Sequence, residues 1–468
     1  MTDRTRRVLL GAAACSALAP LIGPAAAAAE DPPFAGIWSA FLDKDDPPTR
    51  LKLAIDANGS GHLTVMTTME AMDVPIKAIN ISGKALRFEV AQPPLVYEAA
   101  LDRGRIKGVC KRGDQNIPLD FVRGDLYTEP PLINFPPAPL SAKRLHELRL
   151  MARAPAMGVG WQFRGGKNHV LVDGNRSVDA SVPVTAHDKW FLGSITKSMT
   201  ATLAARVVET GDLRWQTRIG DILGKQCAEM LPAYREVTLL HILGHRGGLP
   251  RDVPSLRAGD GRFLQRLEYV RAALRMPPAG NLGERMLYSN VDYVVAGLML
   301  ETVTGQPWET LIAGQVFAPL GLRSFGFGPP GSAGRLDQPQ GHEPGPTGLR
   351  PTRSDAEVPE AMAPAGRVHM NLDDLLIYLQ AHRDQPSAFL NPASWQTLHT
   401  PPFGGDYALG WSVSSDGVLS HGGTNQKWKA EVVVDRKAGL VCCSAANVLN
   451  NNTQSALLQL LSAAKLSR

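Results

Sequence analysis

The sequence predicts an α+β protein in which a small all-β domain precedes a larger domain. The larger domain should combine an antiparallel sheet, flanking helices and a mostly helical subdomain. Residues 31–128 hold short alternating apolar runs and almost no helical periodicity. A Pro-rich segment at 129–140 reads as a semi-rigid linker. In residues 141–468, strand-like runs lie near both ends and enclose several helical patterns, which is typical of a domain with helices against an antiparallel sheet.

Composition places the chain among ordinary globular proteins. Its 468 residues are more than one domain usually has and are enough for two. Apolar residues make up 44% and charged residues 20%, which are ordinary values. The net charge of +5 is too small to indicate a nucleic-acid partner, and no basic stripe with interleaved aromatic residues is present.

The N-terminus has the pattern of a targeting segment. Arg6 and Arg7 precede an apolar, Ala-rich run, and Ala25–Ala29 offers small-residue cleavage sites. We interpret residues 1–29 as a signal peptide of the twin-arginine type, with an ordinary secretory signal as the alternative. No later stretch is long and apolar enough to span a bilayer. The mature chain is therefore expected to be exported, periplasmic or secreted, without a stable membrane span.

The first domain is predicted as a small barrel or sandwich of short strands. A turn signal at residues 58–61 joins two of the strands. No catalytic constellation occurs in this domain, so a structural or ligand-binding accessory role is expected. The predicted strands are Gly36–Phe41, Leu51–Ile55, His62–Met66, Ile76–Ile81, Ala85–Val90, Val96–Leu101, Ile106–Cys110 and Pro118–Arg123.

The larger domain begins with a helix for which Ser141 is a plausible cap. Residues 212–330 are mostly helical in pattern, and the Pro- and Gly-rich stretch 328–351 is predicted as loop. Helices are predicted at 194–208, 291–305, from a cap at Asn371, and at 452–465. Strands are predicted at Val159–Phe163, His169–Val172, Ala408–Val413, Gly417–Ser420, Glu431–Val434 and Val441–Ala445.

Ser194 and Lys197 form the first candidate motif. If a helix starts at Ser194, the two side chains lie one turn apart on the same face. An amine beside a hydroxyl at a helix N-terminus can supply a base, and the free N–H groups there favour developing negative charge. The alternative is a capping serine with a solvated lysine. A second Ser-x-x-Lys, Ser462 to Lys465, reads as the tail of the last helix.

Two further motifs follow in the chain. Tyr288-Ser289-Asn290 stands before an apolar helix, where the alternative is a helix entry with Asn290 as the cap. His421-Gly422-Gly423 lies on a strand-like run near the C-terminus, where the alternative is a surface or core histidine. His245 begins a competing His-x-Gly, which we interpret as structural.

These three motifs, in this order, resemble those of the serine β-lactamase and penicillin-binding-protein superfamily. The Tyr-x-Asn motif points to the class C branch, with its esterase and D-peptidase relatives. The resemblance covers roughly residues 140–468, and it implies a β-lactamase-like fold for 141–468 and chemistry through an acyl-enzyme. Further matching segments are 244–250, 364–374 and 407–411.

The resemblance implies a role for each catalytic residue. Ser194 would be the nucleophile, and Lys197 would accept or shuttle its proton. Tyr288 would be a second proton-transfer group, serving acylation or the activation of the deacylating water. The sequence does not divide the work of the base between Lys197 and Tyr288.

The same resemblance implies the substrate contacts. Asn290 would hydrogen-bond the substrate amide and position Lys197. The backbone N–H groups of Ser194 and Thr424 would form the oxyanion hole. Gly422 and Gly423 would let the substrate approach the strand backbone closely.

Two departures from the family pattern concern specificity. His421 stands where a lysine is common, and an imidazole with an ordinary pKa would carry only part of a positive charge at neutral pH. Hydrolysis of carboxylate-bearing substrates is therefore expected to weaken as the pH rises through neutrality. Trp428 lies between two lysines, where it would either narrow the cleft or contact an acyl chain; an exposed turn is the alternative.

The sequence thus predicts an exported serine hydrolase that acts on small-molecule esters or small amides and needs no metal or cofactor. The first alternative is a penicillin-interacting D-peptidase or weak β-lactamase, with a peptide or lactam as substrate. An alternative of another class is a non-catalytic binding or scaffold protein. The oligomeric state stays open.

Overall fold

The chain divides into two compact units, Met1–Asp125 and Leu126–Arg468. The computed structural model describes residues 33–42, 49–66, 71–90, 94–113, 115–124, 135–345, 348–352 and 358–468. The predicted signal peptide at 1–29 lies outside these residues, as does the first part of the predicted linker.

The first unit contains a single antiparallel sheet of nine strands in its described residues. The order β4-β3-β2-β1-β9-β8-β7-β6-β5 brings the first and last strands together, with Trp38 opposite Arg123. In the described residues all nine strands belong to one hydrogen-bonded sheet, and the choice between a barrel and a sandwich stays a prediction. The strands are β1 Gly36–Leu42, β2 Thr49–Ile55, β3 Gly61–Met66, β4 Ala71–Val74, β5 Ile76–Ser82, β6 Ala85–Val90, β7 Leu95–Asp102, β8 Arg105–Arg112 and β9 Gln115–Arg123.

Alternation of apolar and polar residues gives this sheet one buried face. Trp38 and Tyr97 are fully buried there, and each satisfies its polar atom on the backbone. The Trp38 indole N–H donates to the Phe34 carbonyl at 2.7 Å, and the Tyr97 hydroxyl donates to the Leu119 carbonyl at 2.7 Å. β4 is the one strand among these residues that the sequence patterns missed, and it is four residues long.

The second unit is organised around a seven-stranded antiparallel sheet of order β12-β11-β10-β21-β20-β19-β18. Helices α1 and α12 cover one face, and α10 with the helical subdomain covers the other. Two smaller sheets, β13-β17-β14 and β15-β16, complete the described strands. The strands are β10 Ala156–Phe163, β11 His169–Ser177, β12 Ala180–Pro183, β13 Trp190–Phe191, β14 Gly326–Phe327, β15 His342–Gly345, β16 Gly348–Pro351, β17 Val368–Met370, β18 Ser412–Val413, β19 Leu419–Thr424, β20 Lys429–Asp435 and β21 Leu440–Ala446.

The helices begin at the predicted caps. Ser141 Oγ accepts from Arg144 N at 3.1 Å, and Asn371 Oδ1 accepts from Asp374 N at 2.9 Å. The helices are α1 Ala142–Met151, α2 Thr196–Thr210, α3 Ile219–Leu223, α4 Pro232–Arg235, α5 Leu239–Leu243, α6 Arg266–Leu274, α7 Asn290–Thr304, α8 Trp308–Ile312, α9 Ala363–Gly366, α10 Leu372–Asp384, α11 Pro392–His399 and α12 Asn451–Ala464. Among the described residues, none of the helices combines the length and apolar character needed to cross a membrane.

Two local predictions were wrong. The stretch 328–351 was expected to be loop, but it contains the paired strands β15 and β16. The strand expected at 408–413 is reduced to Ser412–Val413, because Gly410 adopts a left-handed φ of +76° that turns the chain.

Helix α2 lies at the centre of the second unit, and eleven of its fifteen residues are buried. A 3₁₀ turn over Gly193–Ile195 precedes it, so the α-helix itself starts two residues later than predicted. It ends at the predicted residue, Gly211, which has a φ of +88°. This helix carries the first candidate motif into the core of the unit.

We predict that Gly410→Ala destabilises the second unit strongly. Its φ is +76°, and an added Cβ would stand 2.6 Å from the Ser198 Cα on α2. Left-handed backbone costs a non-glycine residue about 1–2 kcal/mol, and overpacking adds about 1–3 kcal/mol. Gly404→Ala is the matched control, because its φ is +72° but no atom lies within 4 Å of its added Cβ. Urea unfolding should show the larger loss for Gly410→Ala; equal losses would contradict the close approach.

Candidate active site

Ser194 and Lys197 meet as their spacing predicts. Lys197 Nζ donates a hydrogen bond to Ser194 Oγ at 3.1 Å. Gly193, just before the serine, has a φ of +51°, which turns the chain from β13 into the 3₁₀ turn. The serine therefore stands at the start of a buried helix with an amine beside its hydroxyl.

The Lys197 ammonium is fully buried and is held by three acceptors from three parts of the chain. Besides Ser194 Oγ, it donates to Asn290 Oδ1 at 2.7 Å and to the Ala365 carbonyl at 2.8 Å. All three acceptors are uncharged groups, so none of these three hydrogen bonds is made to a carboxylate. The ring centroids of Tyr288 and Tyr293 lie 4.9 and 5.7 Å from Lys197 Nζ, which is within the range of cation–π interactions.

Asn290 faces the site because another residue caps its helix. Ser289 Oγ accepts from Asp292 N at 3.1 Å and thereby caps α7. The alternative with Asn290 as the cap is wrong. Its Oδ1 accepts from Lys197, while its Nδ2 donates to the two carboxylate oxygens of Asp252 at 3.0 and 3.2 Å.

Tyr288 is half-buried, and its ring packs at a tilt of 45° against the buried ring of His245. The ring centroids of Tyr288 and His245 lie 4.5 Å apart. His245 also contacts the rings of Tyr293 and Tyr407, at 5.2 and 4.9 Å. This packing fixes the Tyr288 ring next to the Lys197 ammonium.

His245 and Asp292 form a buried pair below Tyr288. His245 Nδ1 lies 2.8 Å from Asp292 Oδ2, and the side chains are 0% and 1% exposed. Burial lowers the pKa of His245 well below its usual value, and the Lys197 charge acts in the same direction. Burial raises the pKa of Asp292 well above its usual value. The pair is therefore held neutral, with the carboxylic acid donating to the imidazole.

The second half of β19 runs directly beside the Ser194 turn. On this side of β19, strand β18 pairs with Leu419 and Ser420, and residues 421–424 extend beyond it. A Cβ on Gly423 would stand 1.9 Å from the Leu192 carbonyl oxygen and 2.9 Å from Ser194 N. A Cβ on Gly193 would stand 2.3 Å from Thr424 N. Only glycine allows this approach, which brings the Ser194 and Thr424 backbones together.

Gly422 points to the opposite face of β19. An added Cβ there would meet the carboxylate of Glu431, its cross-strand neighbour, at 2.8 Å. Glu431 Oε1 lies 2.9 Å from Lys429 Nζ, and both side chains are about one-tenth exposed. Gly423 thus allows the contact with the Ser194 turn, whereas Gly422 leaves room for the Glu431 side chain.

His421 is buried on the same face of β19 as Gly423, and its tautomer is defined. Its Nδ1–H donates to the Gly422 carbonyl at 2.7 Å, so Nε2 accepts from the Tyr407 hydroxyl at 3.2 Å. Burial, together with the charges of Lys197 and Lys429, lowers the pKa of His421 to about 3. The expectation of a partly charged imidazole at neutral pH was wrong, because the ring lies out of contact with solvent and next to another cation.

Trp428 also differs from expectation. It is 3% exposed and lies in the core, where its ring meets that of Trp190 edge to face at 6.1 Å. The alternative of an exposed turn is therefore wrong. Trp428 lines a small pocket together with Pro329, Gly341 and Asn425. The expected contact with an acyl chain stays a prediction.

Sequence reasoning missed three groups at the site: Asp252, Asp292 and the Ala365 carbonyl. The segments 244–250 and 364–374 had been singled out as similar to a family, but their contact with the site was not predicted. Asp252 lies two residues beyond the first of these segments, and Ala365 lies within the second. The competing Ser462 and Lys465 lie at the end of α12, where Ser462 Oγ donates to the Leu458 carbonyl.

Comparison with known proteins gives a consistent family. The family model described as Beta-lactamase matches residues 150–464. Penicillin-binding protein 4 of Amycolatopsis lactamdurans is 28% identical over 249 residues, which cover 52% of this chain and 63% of that protein. A β-lactamase of Pseudomonas fluorescens is 26% identical over 264 residues, covering 54% of this chain and 67% of that protein. The chain therefore spans less than two thirds of the length of the first of these relatives.

Solved structures share the fold. D-amino acid amidase from Ochrobactrum anthropi SV3 aligns with a TM-score of 0.58 at 19% identity, over 69% of this chain and 98% of that one. EstCE1, described as a hydrolase with promiscuous acyltransferase activity, aligns with a TM-score of 0.59 at 19% identity, over 69% and 98%. At these identities the alignments establish the fold alone.

We predict that His421 stays neutral from about pH 6 to about pH 8, because its pKa of about 3 lies below that range. Its imidazole NMR signals should not titrate there. If the protein hydrolyses p-nitrophenyl esters, the ratio of kcat/KM for a glutarate half-ester to that for a butyrate ester should show no His421-dependent step. A His421→Gln variant provides the reference. A histidine titration near pH 6.5 that disappears in this variant would contradict the buried, neutral state.

Proposed function

Because this chain belongs to the Beta-lactamase family of serine hydrolases, we propose that Ser194 is the nucleophile of an esterase or small-molecule amidase that works through an acyl-enzyme. The observation that carries the proposal is the buried Lys197 ammonium, hydrogen-bonded at once to Ser194 Oγ and Asn290 Oδ1. A buried cation is costly unless its protons are satisfied, so a site that keeps one beside a serine hydroxyl is suited to proton transfer.

The acylation step follows from this arrangement. Ser194 Oγ loses its proton to the unprotonated form of Lys197 or of Tyr288 and forms a bond to the substrate carbonyl carbon. The carbonyl π electrons move to oxygen, where the N–H groups of Ser194 and Thr424 would stabilise the oxyanion. When the carbonyl re-forms, the bond to the leaving group breaks. The alcohol or amine departs with the proton, and Ser194 carries the acyl group.

Deacylation repeats the sequence with water as the nucleophile. The unprotonated form of Lys197 or of Tyr288 would take a proton from water as the water oxygen bonds to the acyl carbon, and the proton then returns to Ser194 Oγ as the ester bond breaks. Asn290 contributes by holding Lys197, and its amide also has a second N–H that can reach the substrate. Gly422 and Gly423 leave the backbone of β19 open to a close-lying substrate.

The neutral state of His421 supports esters and amides without a carboxylate as substrates. Penicillins and D-peptides carry a carboxylate, and β19 offers it no charged imidazole, since the pKa of His421 is about 3. A penicillin-interacting D-peptidase or weak β-lactamase is the second candidate, favoured by the names of the relatives found. A scaffold without chemistry is less well supported, because it would have no use for a buried ammonium.

We also propose that residues 1–29 direct export and that residues 31–128 form an accessory domain. The support for export is the pair Arg6 and Arg7 before an Ala-rich apolar run. The support for an accessory role is that the nine-stranded sheet has its own buried core, built around residues such as Trp38 and Phe121.

The test of the proposed nucleophile is Ser194→Ala. We expect the wild-type protein to form a fluorophosphonate adduct on Ser194 and to hydrolyse short p-nitrophenyl esters. The variant should lose the adduct and about 10³-fold or more of the rate. Ser462→Ala is the matched control, because Ser462 belongs to the other Ser-x-x-Lys and lies on the exposed end of α12. An adduct that persists in Ser194→Ala would contradict the assignment.

Parallel reactions distinguish the substrate classes. Rapid ester turnover without lactam turnover supports the esterase, whereas a long-lived penicillin adduct on Ser194 supports the D-peptidase. Mass spectrometry of the intact protein reads both outcomes. No adduct with either reagent would favour the scaffold.

We predict that Tyr288→Phe slows acylation by about 10²- to 10⁴-fold, the range of general acid–base catalysis. Phenylalanine keeps the ring between His245 and Lys197 but lacks the hydroxyl. The rate of fluorophosphonate labelling measures acylation, and an ester burst separates it from deacylation. Unchanged labelling with slower turnover would restrict Tyr288 to the deacylating water. Unchanged labelling and turnover would assign the base to Lys197 alone.

A further inference from the structure

Asp252 lies two hydrogen bonds away from the Lys197 ammonium. Asn290 Nδ2 donates to Asp252 Oδ1 at 3.0 Å and Oδ2 at 3.2 Å, while Asn290 Oδ1 accepts from Lys197 Nζ at 2.7 Å. An amide has distinct donor and acceptor ends, so a carboxylate on one side fixes which end faces the lysine. Asp252 therefore determines that Asn290 presents an oxygen, and not an N–H, to Lys197.

The segment that carries Asp252 is itself anchored to the same helix. Asn290 N donates to the Arg251 carbonyl at 2.8 Å, so Asn290 binds this segment through its backbone and its side chain. The Tyr269 hydroxyl donates to Asp252 Oδ1 at 3.4 Å from α6. These contacts hold the carboxylate at a fixed place beside the site.

The Lys197 charge acts on two described carboxyl groups, Asp252 and Asp292, in the direction that lowers the pKa of each. His245 and His421 are neutral, since burial lowers the pKa of each. Asp292 is neutral, since burial raises its pKa well above the usual value and its partner is His245. The rings of Tyr288 and Tyr293 face the ammonium, with their centroids 4.9 and 5.7 Å from Lys197 Nζ.

Asp252 has partners that favour its ionised form. Burial raises the pKa of this carboxyl above its usual value, and the Asn290 and Tyr269 donors, with the charges of Lys197 and Arg251, limit that rise. Two donors and two cations around one carboxyl are the surroundings of a carboxylate anion. Lys197 and Arg251 also make this anion a poor anchor for a positively charged substrate, because its charge is already balanced from two sides.

We propose that Asp252 is the counter-ion of Lys197, acting through the Asn290 amide, and that it sets the pH at which Ser194 becomes reactive. Asp252 is a positioning residue: it touches neither Ser194 nor Lys197 and acts on both through Asn290. The proposal rests on the proposed function in so far as Ser194 is the nucleophile. It extends that function by assigning the control of its pH dependence to a residue outside the three motifs.

The test is Asp252→Asn, which keeps the size of the side chain and an acceptor for Asn290 but removes the charge. A cation that loses a nearby anion gives up its proton more readily. We therefore expect the acid limb of the pH profile to move to lower pH by about one unit. The profile is measured twice, as kcat/KM for p-nitrophenyl butyrate and as the rate of fluorophosphonate labelling of Ser194.

Tyr269→Phe is the matched control, because it removes a donor to the same carboxylate oxygen without removing the charge. Its acid limb should stay at the wild-type position. Asp252→Ser serves as a second uncharged variant if Asp252→Asn fails to fold. Thermal unfolding of each variant separates a loss of folded protein from a change in the site.

Three results would overturn the proposal. An unmoved acid limb in Asp252→Asn would show that the charge does not reach Lys197. A uniform loss of rate at every pH would show a packing role only. A loss confined to substrates that carry an amine would show that Asp252 binds a substrate cation.

The proposal can also be tested if the hydrolase function fails. NMR of protein labelled with ¹⁵N-lysine follows the Lys197 signal, assigned by its absence in Lys197→Arg. In Asp252→Asn this signal should titrate at lower pH than in the wild type, whether or not any substrate is turned over. Unreactive wild-type Ser194 would contradict the proposed function alone, whereas an unmoved lysine titration would contradict the role of Asp252 alone.

Discussion

The buried Lys197 ammonium is the constraint on which the architecture of the second unit depends. An ammonium removed from water must have its three protons accepted, or the fold loses several kcal/mol. Its acceptors come from the Ser194 turn, from α7 through Asn290 and from the Ala365 carbonyl in α9. These three elements are therefore held at hydrogen-bond distance of one atom. The hydrogen bond from Lys197 to Ser194 Oγ both positions the candidate nucleophile and offsets part of the cost of burying the ammonium.

The second requirement of the site is that the backbones of β19 and of the Ser194 turn approach each other closely. A glycine on each side, Gly423 and Gly193, makes this possible. Gly193 lets the Ser194 turn reach Thr424 N, and Gly423 lets β19 reach the Leu192 carbonyl. A side chain at either position would separate the strand from the turn and the two N–H groups from each other. Gly410 provides a similar approach on the other side of α2, against Ser198. The site is thus assembled from contacts between backbones, with few side chains between them.

Charge in the site is arranged so that one cation dominates. His245, Asp292 and His421 surround the region but are kept neutral by burial. Asp252 reaches Lys197 only through the amide of Asn290. This arrangement places the Lys197 ammonium beside Ser194 Oγ, where the proposed proton transfer would take place.

The sequence by itself determined the longer strands and helices in their order, the caps Ser141 and Asn371, and the three motifs. These depend on local patterns: period-2 alternation, 3.6-residue periodicity, and capping residues such as Ser141 and Asn371. The spacing of Ser194 and Lys197 also fixed their contact, because one helical turn joins them. Only the tertiary structure decided that Ser289 caps α7 and frees Asn290, that Trp428 is buried, and that Asp252 joins the site. It also decided the charge of His421, since a pKa depends on burial and on neighbours distant in the chain, which no local pattern records.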